Sequence, residues 1–259
     1  MTQEKYTRQT VTARKEWIPG KLFSITTTKD PAFDFIPGQF ARLGLPENPA
    51  SSMEPSIWRA YSMVTPPQAN ELSFYSIVVP DGQFSTRLRD LQVGDDIYID
   101  RTAFGFMTPE QFPQGGELWM LATGTGLSAF LPMLADPKTW QQFDKIILVH
   151  GVRQADELTY QDDIAQFAAT HARHPEQFVY QPVASREKLD NAPQSRITTL
   201  ITSGELERLT GASLNPDIAR VMLCGNPDMV SDARKILGDK GFAAGRRGAV
   251  GTLAVEKYW

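Results

Sequence analysis

The sequence has little cysteine: Cys224 is the only one in 259 residues. Alone it cannot close an intramolecular disulfide, supply the four thiolates of an iron–sulfur site or build a structural zinc site. Any iron–sulfur partner is then a separate protein. No stretch reaches the roughly 18 uninterrupted apolar residues of a membrane span, and the opening MTQEKYTRQTVTARKEW lacks the apolar core of a signal peptide. A soluble, cytoplasmic chain is expected. Excess positive charge is also missing: the net charge is −4, which argues against general nucleic-acid affinity while leaving room for a local basic patch. What is present is an apolar share of 41%, ordinary for a globular protein and, at this length, enough for one large domain or two smaller ones.

Up to about residue 105 the apolar segments are short, β-branched or aromatic, and separated by Pro and Gly turns, a pattern that predicts an all-β barrel or sandwich. The expected strands run Thr10–Trp17, Lys21–Thr28, Gln39–Leu45, Ile57–Val64, Leu72–Val79 and Asp96–Asp100. The turn Pro80-Asp81-Gly82 leads to a helix near Ser85–Leu91. After Phe112 apolar runs alternate with helical segments, as in βαβ units. Parallel strands are expected at Glu117–Ala122, Lys145–His150, Phe178–Val183 and Arg220–Cys224, with FPQGG, residues 112–116, as linker. Two domains follow, 1–112 an antiparallel β-barrel or sandwich and 113–259 an α/β parallel-sheet domain.

The second half opens with a strand, then Thr123-Gly124-Thr125-Gly126-Leu127 and an apolar helix over Ser128–Leu134. Gly124, Gly126 and Ala129 fit the loose dinucleotide pattern, in which glycines let backbone amides approach a pyrophosphate. The same spacing also suits a plain tight turn before a helix. The third parallel strand ends in Val183-Ala184-Ser185-Arg186, where an NAD site tends to carry an acid, and Arg196 follows. Two guanidinium groups there suit a 2′-phosphate through bidentate hydrogen bonds, or are simply solvated. Cys224-Gly225-Asn226-Pro227 ends the last of these strands and starts a helix, with Pro early, where its missing amide is harmless. In the first half the densest cluster is Arg59-Ala60-Tyr61-Ser62. Strand alternation puts Arg59 and Tyr61 on one face, offering a cation and an aromatic ring.

RAYS, PDGQFS, LATGTG, VHGVR, VASRE, MLCGNPDMV and the terminal VEKYW occur in this order along nearly the whole chain, which resembles the bacterial type of ferredoxin–NADP reductase, or flavodoxin reductase. GTGLSAF departs from the commoner GTG-x-x-P-F form, with Ala129 in place of proline. The resemblance implies an FAD-binding barrel and an NADP-binding α/β domain. By it, Arg59 contacts the FAD pyrophosphate, Tyr61 stacks on the isoalloxazine and Ser62 hydrogen-bonds near flavin N5. Ala60, Tyr75, Ser76, Ile77, Val78, Gln83, Phe84 and Ser85 continue the FAD cradle. Gly124, Thr125, Gly126, Val152, Arg153, Ser185, Arg186, Arg196, Gly225 and Asp232 fall to NADP, with Cys224 beside the nicotinamide. Tyr258 covers the flavin's other face and Trp259 stacks toward the FAD adenosine.

The implied function is hydride exchange with NADP(H) and single-electron exchange with ferredoxin or flavodoxin by a monomer, with catalytic roles for Ser62, Cys224 and Tyr258 and no metal. Arg87, Arg89, Arg246, Arg247 and Lys257 are candidates for carrier docking. A flavin reductase or diaphorase acting on small acceptors shares every motif, and a non-catalytic nucleotide-sensing flavoprotein would use the same scaffold.

Overall fold

Neighbouring short strands pair antiparallel in the first of two units of the computed structural model, which describes residues 5–48, 51–245 and 250–257. The units span Met1–Gly105 and Phe106–Trp259. The first contains β1 (Tyr6–Ile18), β2 (Leu22–Thr28), β3 (Phe40–Leu45), β4 (Ile57–Ser62), β5 (Glu71–Ile77), α1 (Gln83–Asp90) and β6 (Asp96–Asp100). Its sheet order is β4-β3-β6-β1-β2-β5. β1 serves twice, pairing through Tyr6–Thr10 with β6 and through Val11–Ile18 with β2. A bridge between Met63 and Phe74, and Val64 N–H donating to Ser73 O at 2.8 Å, join the two edge strands and curl the sheet. Phe23, Ile25, Leu43, Phe74, Ile97 and Ile99 fill the inside, where Phe84 and Leu88 on one face of α1 join them. The antiparallel barrel expected from the sequence is thus present as a curled six-stranded sheet.

The second unit is a five-stranded parallel sheet of β7 (Glu117–Thr123), β8 (Lys145–Val152), β9 (Phe178–Ala184), β10 (Ala219–Gly225) and β11 (Leu253–Lys257), ordered β11-β10-β7-β8-β9. Its helices are α2 (Leu131–Leu134), α3 (Pro137–Gln142), α4 (Gln161–His171), α5 (Ile197–Ser203), α6 (Glu205–Thr210) and α7 (Pro227–Asp239). Strands covered on both faces read as continuous apolar runs rather than alternating ones. Trp119, Leu121, Ile147, Val149, Val221 and Leu223 form one core with residues of α5, α6 and α7. Leu118, Met120, Ile146 and Leu148 alternate with them and are equally buried on the other side.

Two features of the second unit depart from the sequence expectation. The helix expected over Ser128–Leu134 is a 3₁₀ turn, Gly124–Ala129, followed by α2; Pro132 has no N–H to continue a helix back to Ser128. β11 was not expected at all. The units divide at Gly105, and Gln142 Nε2 of the second donates to Pro109 O at 3.0 Å and to Phe112 O at 2.9 Å. Among the described residues no helix is long and apolar enough to cross a membrane, and no group of three His, Cys, Asp or Glu is placed to hold a metal.

Candidate functional site

In the first unit three separated motifs converge because the sheet curls. Tyr61 on β4 packs against the barrel core, its ring centroid 5.8 Å from that of Phe84 on α1 and its hydroxyl 3.3 Å from Ser76 Oγ on β5. Burial pushes the Tyr61 phenol above its ordinary pKa, against the Ser76 hydrogen bond and the Arg59 charge. Arg59 stays exposed, with Nη1 donating to Trp58 O at 2.8 Å, and Ala60 beside it is exposed. Ser62, Tyr75 and Ser76 are buried, and Tyr75 meets Trp17 edge-on. Ile77 and Val78 are half-buried, and Val78 N–H donates to Lys21 O at 2.8 Å.

α1 begins at a tight turn. Asp81 has φ 60°, and a Cβ on Gly82 would stand 2.9 Å from Ser85 Oγ and 3.0 Å from Val79 O. Ser85 Oγ accepts from Val79 N–H at 3.0 Å, and the exposed Gln83 opens the helix. No side chain caps this helix start, and no acid lies in its first turn. The first amides of a helix have no intrahelical acceptor and carry partial positive charge. An exposed guanidinium, an uncapped helix start and a half-buried aromatic ring form a donor set that suits a phosphate-bearing aromatic ligand.

In the second unit the expected nucleotide residues lie at the carboxyl edge of the parallel sheet. The chain runs from β7 outward to β8 and β9, then returns to place β10 on β7's other side. Ligands of open α/β sheets bind at such a topological switch point. There the glycines differ. Gly124 has φ 52°, and a Cβ on it would meet nothing within 4 Å. A Cβ on Gly126 would stand 2.4 Å from Cys224 O, and one on Gly225, which has φ 130°, would stand 2.3 Å from Thr123 Oγ1. Gly126 and Gly225 thus let the turn after β7 touch the end of β10, while Gly124 borders open space.

Thr125 is buried and its carbonyl accepts from Ser128 Oγ at 2.7 Å. Arg153 follows the buried Val152 and accepts at its carbonyl from Arg186 N–H at 2.9 Å, so the two exposed arginines leave adjacent strand ends. Ser185 N–H donates to Val152 O, and Ser195 N–H to Ala184 O, which brings Arg196 to the end of β9. Arg196 is exposed just before α5. Cys224 is fully buried, its Cα partners being Ala122 and Glu256. Asp232 lies exposed on α7, beyond the turn that starts that helix. Arg87 and Arg89 stand in the last turn of α1, and Lys257 Nζ donates to Ser231 Oγ at 2.9 Å. Tyr258, Trp259, Arg246 and Arg247 lie outside the described residues.

Several residues that hold this edge were not singled out from the sequence. Thr123 Oγ1 accepts from Asn226 N–H at 2.9 Å, tying the end of β7 to the start of α7, whose first amides the Asn226 side chain caps. Glu157 accepts from Arg153 N–H at 2.9 Å, and Glu187 from Ala155 N–H at 2.7 Å, so carboxylates set the loops that carry the arginines. His150 is fully buried and its Nε2 lies 3.3 Å from Gly124 O. Burial pushes its pKa down to about 4, against the Gly124 hydrogen bond and the Glu157 charge. A histidine inside the apolar run IILVHGV was the available signal.

Residues 120–235 match the model of the oxidoreductase NAD-binding domain family. The chain is 36% identical to ferredoxin–NADP reductase of Pseudomonas aeruginosa over 242 residues, 91% of each chain. It is 37% identical to flavodoxin/ferredoxin–NADP reductase of Escherichia coli over 229 residues, 85% of this chain and 89% of that one. Among solved structures it is similar to a ferredoxin NADP+ reductase from Neisseria gonorrhoeae with bound FAD and NADP. That match has a TM-score of 0.89 and 34% identity, and covers 98% of this chain and 99% of the other.

Proposed function

Because this chain belongs to the ferredoxin–NADP reductase family, we propose that it is an FAD-dependent oxidoreductase that exchanges hydride with NADP(H) and single electrons with ferredoxin or flavodoxin. The observation that carries this is the pair of donor sets, one per unit, each suited to a phosphate-bearing nucleotide. When bound, FAD supplies the conversion between two-electron hydride chemistry and one-electron transfer. The protein's residues bind and orient.

Arg59 and the first amides of α1 hold the FAD diphosphate, where charge-assisted hydrogen bonds are the strongest available. Tyr61, fixed by Phe84 and Ser76, offers its ring for stacking, and Ser62 supplies a polar partner for the flavin. In the second unit the Gly124–Gly126 turn receives the NADP pyrophosphate, while Arg153, Arg186 and Arg196 favour the 2′-phosphate. Cys224 borders the nicotinamide; the flavin-covering role that the resemblance gives Tyr258 and Trp259 falls outside the described residues. The candidate carrier-docking cations among the described residues are Arg87 and Arg89 in the first unit and Lys257 in the second, and Arg246 and Arg247 lie outside the described residues.

Anaerobic addition of NADPH to the purified, FAD-loaded protein tests this. NADPH is expected to bleach the visible flavin absorbance, and NADH to do so far less efficiently. A preparation that retains no FAD, or bound FAD that NADPH leaves oxidised, would overturn the proposal.

A further inference from the structure

The glycine turn after β7 is held from beneath. His150 lies on the neighbouring strand β8, with Ala122 and Pro182 as its Cα partners on β7 and β9, and it is fully buried. Nε2 is 3.3 Å from Gly124 O, while Nδ1 is buried with no partner among the described residues. A carbonyl only accepts, so Nε2 carries the proton and Nδ1 is the bare nitrogen of a neutral imidazole. Burial favours that neutral form, and the pKa stands at about 4 with Glu157 as the charged neighbour.

The peptide joining Gly124 to Thr125 is trans, since no cis bond occurs among the described residues. In a trans peptide C=O and N–H point in opposite directions. With Gly124 C=O drawn down to the imidazole, Thr125 N–H points away from it. The positive φ of Gly124, 52°, lets the plane take this orientation, and the space beside Gly124 is open.

We infer that His150 is a positioning residue for NADP(H): its Nε2–H fixes the Gly124–Thr125 peptide plane so that the Thr125 amide is preset to donate to the dinucleotide pyrophosphate. This rests on the proposed role of the Gly124–Gly126 turn. His150 touches no ligand. It removes the reorientation that an unfixed glycine peptide would undergo on binding, and so acts on affinity for the pyrophosphate rather than for the adenosine 2′-phosphate.

The test is equilibrium titration of the FAD-loaded protein with NADP+ and with adenosine 2′-monophosphate, which lacks the pyrophosphate. His150→Gln keeps an N–H donor at the reach of Nε2, His150→Asn stops short, and His150→Leu fills volume without a donor. His150→Leu and His150→Asn are expected to bind NADP+ roughly tenfold more weakly. Adenosine 2′-monophosphate should bind all variants equally, and His150→Gln should bind NADP+ like the wild type. Should His150→Leu not fold, His150→Asn against His150→Gln gives the same comparison.

Wild-type NADP+ affinity in His150→Asn overturns the inference. So does equal weakening in His150→Gln, or a parallel loss of adenosine 2′-monophosphate binding, the sign of a loosened domain. Gly124→Asp, which tolerates the left-handed region and adds a negative charge to the open space, separates the two claims. Unchanged NADP+ affinity in Gly124→Asp refutes the pyrophosphate role of the turn itself. A loss there with no loss in the His150 variants refutes only the positioning role.

Discussion

Two glycines separated by one residue in the turn after β7 are expected to fail in opposite ways when replaced by alanine. A methyl on Gly126 would stand 2.4 Å from Cys224 O, 2.6 Å from Cys224 C and 2.7 Å from Gly225 Cα, where ordinary contact begins at 3.4 Å. All three atoms are backbone, so no side chain can swing aside, and the turn must part from the end of β10. Overpacking of this kind costs about 3 kcal/mol, the upper part of its usual range, which lowers the melting temperature of a unit this size by roughly 6–12 °C. A methyl on Gly124 would meet nothing within 4 Å, and its cost is the left-handed backbone at φ 52°, about 1 kcal/mol. That methyl enters the space proposed for the pyrophosphate. Gly124→Ala is therefore expected to melt within a few degrees of wild type yet bind NADP+ poorly. Scanning calorimetry reads both, because NADP+ raises the transition of the unit that binds it. Wild-type melting in Gly126→Ala, or a larger drop in Gly124→Ala than in Gly126→Ala, would refute the assignment of packing to one glycine and binding to the other.

Arg59→Ala should weaken FAD by roughly ten- to a hundredfold, the worth of a charge-assisted hydrogen bond, and unchanged FAD affinity by fluorescence titration counts against its phosphate role. Replacing both Arg186 and Arg196 by Ala should cut the preference for NADPH over NADH by roughly a hundredfold in kcat/KM, and a wild type without that preference contradicts the assignment. His150 adds a pH signature. Its folded pKa of about 4 lies below its ordinary 6.5, so the unfolded chain binds the extra proton. The stability it lends is complete above pH 6.5 and is lost as pH falls toward 4. Urea unfolding between pH 7 and 5 should lose about 2 kcal/mol more in wild type than in His150→Gln. Identical pH slopes in the two would show that the imidazole is not held neutral.

Most of the fold was legible because local pattern and tertiary need agree. The apolar runs LWMLA and IILVH read as strands covered on both faces, and Gly and Pro marked the barrel's turns. Three places were not legible. Tyr6–Gln9 is polar and becomes strand only because β6 pairs with it. LAVEK is a short run near the chain end whose strand character comes from lying in register with β10. Over Ser128–Leu134 apolar composition outweighed Pro132 in the reading, although a missing N–H decides where a helix can run. At the site, the sequence order of RAYS, TGTG, VASRE and CGNP was visible, and the last three end strands at one edge of the parallel sheet. The division of labour inside the blocks was not. A spacing of glycines does not say which one faces a ligand and which one packs on Cys224 O. Nor do Thr123, Glu157 and Glu187 announce themselves, since each holds a backbone N–H that it meets only in the folded unit; of the residues missed, His150 alone carried a signal, a polar ring inside an apolar run.

The most direct measurement is steady-state reduction of a purified ferredoxin or flavodoxin by the FAD-loaded protein with NADPH, followed against carrier concentration and ionic strength. The account predicts saturable, salt-sensitive carrier reduction that disappears without FAD. NADPH oxidation that free flavins support but neither carrier accelerates at any salt concentration would contradict it, and would identify the protein as a reductase of small acceptors.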